Sequence, residues 1–350
     1  MKKFITTIMA VFVAGFAICQ TESLQEQQKG KPILTVFSNF HTGFGEQKDN
    51  IGFELERAYL GYQVLYNEVM LDAKFELERA YLGYQYQFTD ALSAKVVFDM
   101  GQSGDVNDIQ RIAYVKNAFA TWKKGAFKLH AGLTGLEQFS LQEQYWGHRY
   151  VMKPFLDEYK FGSSADLGIV ARYQFGSWGS IDFSCVNGEG YKKIQLDNQM
   201  LYSAGFTVTP VEGLALRIYG DYKGKQNPDS TESARKNLSF FAGYQTKRVS
   251  VGAEYNKMFN SKNKVGKHQE GVSAYASVSL PNRFGLYARW DYLMSDNDWN
   301  IEKDGQLFMA GVQYAPCKNI KLTPNFRLWK PAAVGSKVAP TLYLNMEAKL

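Results

Sequence analysis

Residues 249–256 read VSVGAEYN and residues 272–280 read VSAYASVSL, and the alternation within these two stretches decides the fold. Val249, Val251, Ala253 and Tyr255 oppose Ser250, Gly252, Glu254 and Asn256; Val272, Ala274, Ala276, Val278 and Leu280 oppose Ser273, Tyr275, Ser277 and Ser279. Successive side chains of a strand point to opposite faces, so a period of two means a strand with one apolar and one wet side. The pattern runs on in both directions. Ala165, Leu167, Ile169, Ala171, Tyr173 and Phe175 share a face against Asp166, Gly168, Arg172 and Gln174, and Leu214, Leu216 and Ile218 share one against Arg217, Tyr219, Asp221 and Lys223.

A soluble β-sandwich also alternates, so the connections discriminate. Short turns are expected at residues 89–90, 123–125, 176–179, 210–213, 246–247, 281–283 and 316–319. Longer polar links intervene at 225–236, 260–269, 296–304 and 330–339. Short turns on one rim and long loops on the other are the signature of an outer-membrane barrel. The reading is therefore all-β: a transmembrane antiparallel β-barrel of about 16 strands, beginning near Ile33 and closing with the alternating strand that runs to Leu350. FELERAYLGYQ occurs at 53–63 and again at 75–85, a 22-residue repeat that would raise the count to 18 if it forms an extra hairpin. The junction argues against that, because residues 71–74 carry neither Gly nor Pro for a second turn.

The N-terminus fits this setting. Lys2 and Lys3 precede an apolar run from Phe4 to Ile18 that is too short to span a bilayer, and Ala17 and Cys19 are small residues suited to cleavage before Gln20. Residues 1–19 are thus read as a signal peptide and 20–350 as the barrel, placed in the cell outer membrane. Losing Lys2 and Lys3 lowers the formal charge from +6 to +4, with both signs interspersed, so nucleic acid is not an expected partner. Cys185 and Cys317 supply neither a disulfide framework nor a zinc site, and no cofactor is implied. The 22 Tyr, 24 Phe and 31 Gly under a mean hydropathy of −0.32 suit aromatic girdles around a wet interior.

Residues 143–168, EQYWGHRYVMKPFLDEYKFGSSADLG, together with VNGEGYKKIQ at 186–195 and the RAYLGYQ strands, resemble porin-like proteins of Bacteroidetes related to the phosphate-selective porin O and P family. The resemblance covers nearly the whole chain beyond the leader. It implies a sixteen-stranded barrel, trimer-forming or monomeric, that conducts small solutes. It does not settle the solute, since members named for phosphate are not all selective for it, and inward Arg and Lys here alternate with Asp and Glu rather than forming a basic ladder.

The longest connection, about 136–163, mixes aromatic residues with charge, and a loop of that length usually has its own task. It is read as a constriction loop folded into the lumen, with Glu143, Arg149, Lys153, Asp157, Glu158 and Lys160 setting a transverse field. Strand parity adds Arg172, Arg217, Asp221, Lys223, Glu254, Arg289, Asp291, Lys321 and Arg327 to the pore lining. NGEGYKK at 187–193 lacks the spacing of a phosphate loop and is read as a strand-end loop. The expected function is a water-filled channel for passive diffusion of small hydrophilic solutes or ions, anions such as phosphate among them. Its partners are then outer-membrane lipids and those solutes. Two alternatives stay open: an adhesin or glycan-binding barrel using the outer loops, and a barrel hydrolase, for which His148 with Glu143 and Asp157 is the one local cluster.

Overall fold

The computed structural model describes residues 30–38, 41–43, 79–102, 111–195, 197–225 and 231–349. The leader and the first copy of the repeat lie outside these residues. The strands in chain order are β1 (Gly30–Ser38), β2 (His41–Gly43), β3 (Arg79–Gln87), β4 (Leu92–Gln102), β5 (Arg111–Lys124) and β6 (Phe127–Gly135). Two short helices follow, α1 (Ser140–Trp146) and α2 (Phe155–Glu158). The chain continues with β7 (Ala165–Phe175), β8 (Gly179–Val186), β9 (Leu201–Val208), β10 (Leu214–Lys223), β11 (Arg235–Gln245) and β12 (Val249–Phe259). It ends with β13 (Gln269–Ser279), β14 (Phe284–Ser295), β15 (Gly305–Cys317), β16 (Ile320–Pro331) and β17 (Ala339–Lys349).

From β3 to β17 every strand pairs antiparallel with the next in sequence. β1 joins the two ends: it pairs with β3 from Gly30↔Tyr86 to Phe37↔Arg79 and with β17 at Thr35↔Lys349, Val36↔Ala348 and Ser38↔Met346. β2 pairs with β17 in the same register, at His41↔Tyr343 and Gly43↔Thr341, so β1 and β2 form one strand course. The pairing thus runs round a ring of sixteen courses, and backbone groups that an open sheet would leave at its edges are satisfied within it. The second copy of the repeat supplies most of β3, which pairs directly with β1.

Turns and loops alternate as the sequence foretold, with small differences. The β5–β6 turn falls at 125–126, one residue later than the lysines suggest, because Lys123 and Lys124 still pair with Lys128 and Phe127. β15 runs through Pro316 to Cys317; the register shift between Tyr314 and Cys317 absorbs the proline, which cannot donate to the ladder. Residues 187–195 are a loop outside the strands, in keeping with the reading of NGEGYKK.

Parity assigns the faces. Along β10, Leu216, Ile218 and Tyr222 are exposed, while Ala215, Arg217, Tyr219, Asp221 and Lys223 are buried. The exposed set joins Phe240, Val251, Leu286, Phe308, Phe326 and Leu342 in an apolar outer band. Rings pair on the outer face near the short turns, Trp122 with Phe127 at 5.9 Å, Phe175 with Trp178 at 5.3 Å and Phe284 with Tyr314 at 4.9 Å, as an aromatic girdle requires.

Arg in place of Leu216 or Val251 should cost about 2–4 kcal/mol near the bilayer midplane. The expected result is loss of the heat-modifiable folded band on gels after refolding into lipid vesicles. Unimpaired folding of both variants would mean that the two faces have been assigned the wrong way round.

Candidate functional site

Segment 136–163 leaves the wall after β6 and packs against inward side chains of β10–β17. Its aromatic residues drive this. Trp146 is fully buried, with its ring centroid 5.3 Å from Tyr275 and 5.7 Å from Tyr287, while Tyr145 meets Phe241 at 5.3 Å. Phe155, Leu156 and Phe161 form a second buried cluster with Met258 of β12 and Leu293 of β14. Room for the rings is made by glycines. A Cβ on Gly271 would lie 2.5 Å from Phe155 Cζ, and one on Gly243 would lie 2.6 Å from Tyr145 Cδ1.

Because most of the segment is irregular, its carbonyl groups need donors from outside it. The wall provides them. Arg217 Nη2 donates to Glu137 O at 3.0 Å, Arg327 Nη2 to Val151 O at 2.7 Å and Arg289 Nη1 to Lys153 O at 2.7 Å. Tyr275 Oη donates to Gln142 O at 3.0 Å, Ser250 Oγ to Tyr145 O at 2.6 Å and Asn345 Nδ2 to Tyr150 O at 3.3 Å. Gln269 Nε2 reaches Tyr159 O at 3.2 Å and Asn237 Nδ2 reaches Phe161 O at 2.9 Å. Three tyrosines of the segment donate back: Tyr145 to Gly213 O, Tyr150 to Gln313 Oε1 and Tyr159 to Asp291 Oδ2, at 2.9, 2.7 and 3.2 Å.

Each anchoring arginine is itself held. Arg289 and Asp291, almost fully buried, form a two-pronged pair at 2.8 Å for both contacts, and the guanidinium lies 5.1 Å from the centre of the Trp146 ring. Arg217 makes the same kind of pair with Asp182, at 2.6 and 2.9 Å. Arg327 sits 3.7 Å from the centre of the Tyr343 ring. Charges so deep persist because they are paired and hydrogen-bonded, and deleting one partner of such a pair strands the other.

The fifteen residues singled out in the sequence therefore fall into groups. Arg217, Arg289 and Arg327 anchor the segment, and Asp291 pairs with one of them. Asp221 is buried and accepts from Asn237 at 2.9 Å, and buried Glu254 accepts from Asn256 at 2.9 Å. Lys223 pairs with Glu189 and, at 3.2 Å, with Asp197 of the 187–200 loop; Lys321 pairs with Glu347 at 2.9 Å. Within the segment, Arg149 holds both Glu143 and Asp157. Lys153, Glu158 and Arg172 are half-buried and Lys160 is exposed. Sequence reasoning missed the neutral anchors Asn237, Ser250, Gln269 and Asn345, and the glycines that admit the rings. Their one signal is inward parity at positions too small or too polar for an apolar face.

His148 Nδ1 donates to Trp146 O at 2.7 Å, and its ring lies 4.4 Å from that of Tyr287. Burial pushes this imidazole down to about 4. The cluster of His148, Glu143 and Asp157 is thus resolved into a packed ring and two carboxylates bound to Arg149, which is not the arrangement of a nucleophile and its base. Among the described residues no group of three or more His, Cys, Asp or Glu could hold a metal ion.

A closed antiparallel ring, an apolar belt with an aromatic rim and a polar interior define an outer-membrane β-barrel. The solved structures that it resembles belong to that class. An anion-selective porin from Comamonas acidovorans aligns over 92% of this chain and 100% of its own with a TM-score of 0.62 at 9% identity. OmpF of Salmonella typhi aligns over 92% and 97% with 0.61 at 10%, and the outer membrane channel DcaP of Acinetobacter baumannii over 94% and 99% with 0.58 at 11%. No protein-family model and no curated protein matches the sequence. At such identities the likeness is one of fold.

Trp146→Ala should cost the docked segment about 3–5 kcal/mol. Hydrogen exchange within 136–163 should then accelerate while the strands stay protected; unchanged exchange would mean that the ring does not hold the segment. Acid should act in the same direction. An undocked imidazole titrates near ~6.5, so the contribution of His148 to docking is complete above that pH and is lost as the pH falls towards about 4. Exchange of the segment, corrected for intrinsic rates, should rise between pH 7 and 4.5 in the wild type and not in His148→Phe.

Proposed function

We propose that the chain is a porin whose open lumen favours anions. The observation that carries this is a row of like charges on the inner wall. Lys123 lies directly across from Lys128, and Lys128 directly across from Arg172, on β5, β6 and β7 near the short-turn rim. Like charges in direct cross-strand register are destabilising. Arg172 has Glu137 only at 3.5 Å, and Lys123 and Lys128 are exposed with no ion pair among the described residues. Such a row attracts anions from solution and raises their local concentration.

The inserted segment narrows the passage in this reading, and Arg149 with Glu143 and Asp157 supplies charge of both signs at the narrowing. The water-facing lining is then Lys123, Lys128, Arg172 and the segment's half-buried charges, while Arg217, Arg289 and Asp291 serve to position the segment. The resemblance to the phosphate-selective porin O and P family agrees with the sign of the row. A trimer is part of the same reading; a similar structure, OmpT of Vibrio cholerae, is described as a trimer form.

The refolded barrel in a planar bilayer should give stepwise currents, with a reversal potential of anion sign under a salt gradient near 0.1 M, where the screening length is about 10 Å. K123E with K128E should move that potential towards cation preference without loss of conductance. Inserted protein that passes no current would sink the channel reading, and a cation-selective wild type would sink its sign.

A further inference from the structure

On the long-loop side of the segment the lumen widens into a cavity of about 890 Å³. Four separate stretches of chain each bring one lysine to it: Lys160 from the end of the segment, Lys193 from the 187–200 loop, Lys262 from the 260–268 loop and Lys303 from the 296–304 loop. Arg235 and Arg327 also line it, against two carboxylates, Glu158 and Glu302. None of the four lysines has an ion pair among the described residues. By contrast, Arg149, Arg217, Lys223, Arg289 and Lys321 are all paired with carboxylates. Two of the four are also held in a costly backbone. Lys160 has φ +60° and Lys262 φ +53°, the left-handed region that side chains with a Cβ seldom occupy. The Lys262 turn is pinned by Asn263 Nδ2, which donates to Gly224 O at 2.8 Å and Ser233 O at 3.1 Å.

The rest of the lining mixes neutral polar residues, Ser261, Gln269, Asn300 and Thr341 among them, with an apolar set. Met152, Met258, Leu293 and Leu307 line the cavity together with half-buried Trp299 and Trp329. Inorganic phosphate has no flat or apolar face to set against the tryptophan rings. A cavity of this size, with an apolar set of side chains beside a mainly basic group of charges, has room for an organic anion.

We infer that this vestibule binds small organic anions, solutes that carry a phosphate or carboxylate group on a flat, apolar-faced body, before they pass the segment. The lysines take the anionic group and Trp329 takes the flat face. The inference rests on the channel reading for its physiological sense, but the site can be tested separately.

Quenching of tryptophan fluorescence is titrated on the full refolded barrel in detergent with phenyl phosphate, inorganic phosphate and glucose, and the same solutes are tested for interruption of ion current in the bilayer. Phenyl phosphate should bind at least about tenfold more tightly than either of the others, a gap of about 1.4 kcal/mol. Lys160→Ala with Lys262→Ala should weaken it about tenfold, whereas Trp329→Phe should leave it nearly unchanged and Trp329→Ala should not. Equal binding of inorganic phosphate would overturn the organic part of the inference, and equal binding of glucose the anionic part. A barrel that passes no current but still binds phenyl phosphate in the titration would refute the channel reading and leave the site standing; one that conducts but binds none of the three would do the reverse.

Discussion

Irregular backbone can persist inside a membrane barrel only if something satisfies its carbonyl groups, and in this protein the inner wall does so side chain by side chain. Donors on β10–β14, β16 and β17 reach eight carbonyls of segment 136–163, three of them through arginine. The aromatic rings of the segment add the apolar part of the contact, and the glycines at 243 and 271 let them approach. Neither half suffices alone: rings without donors would leave buried acceptors unpaired, and donors without rings would compete poorly with water.

That attachment organises the interior. By taking up the inward charges of β10, β14 and β16, the segment turns would-be pore residues into structural ones. The inner faces of β5 and β6 and the vestibule beyond the segment keep lysines that have no ion pair among the described residues. The two basic regions lie at opposite ends of the lumen, one by the short turns and one by the long loops.

Much of this was legible in the residues. Alternation in 249–256 and 272–280 places each side chain on the face where the structure has it, because a strand allows only two directions and lipid accepts only one kind of residue. The short turns marked by Gly, Pro and Asn fall where expected to within a residue or two. The length and aromatic content of 136–163 foretell a packed element. The contrast lies in the inward charges: Arg172 and Arg217 have the same parity and the same chemistry, yet one faces half-open space and the other is buried against Asp182 and Glu137. Nothing local distinguishes them.

The sequence by itself determined the class of fold, the two faces of every strand read and the rims on which turns and loops lie, since all of these follow from period-two patterning and turn chemistry within a few residues. Only the tertiary structure decided that the ring closes through β1, which carbonyl each inward donor meets, and which lysines without an ion pair among the described residues gather around one cavity. These depend on contacts between residues far apart in the chain, such as Tyr150 with Asn345 and Thr35 with Lys349, and pairing at that range is set by the closure and stagger of the barrel rather than by any stretch of chain.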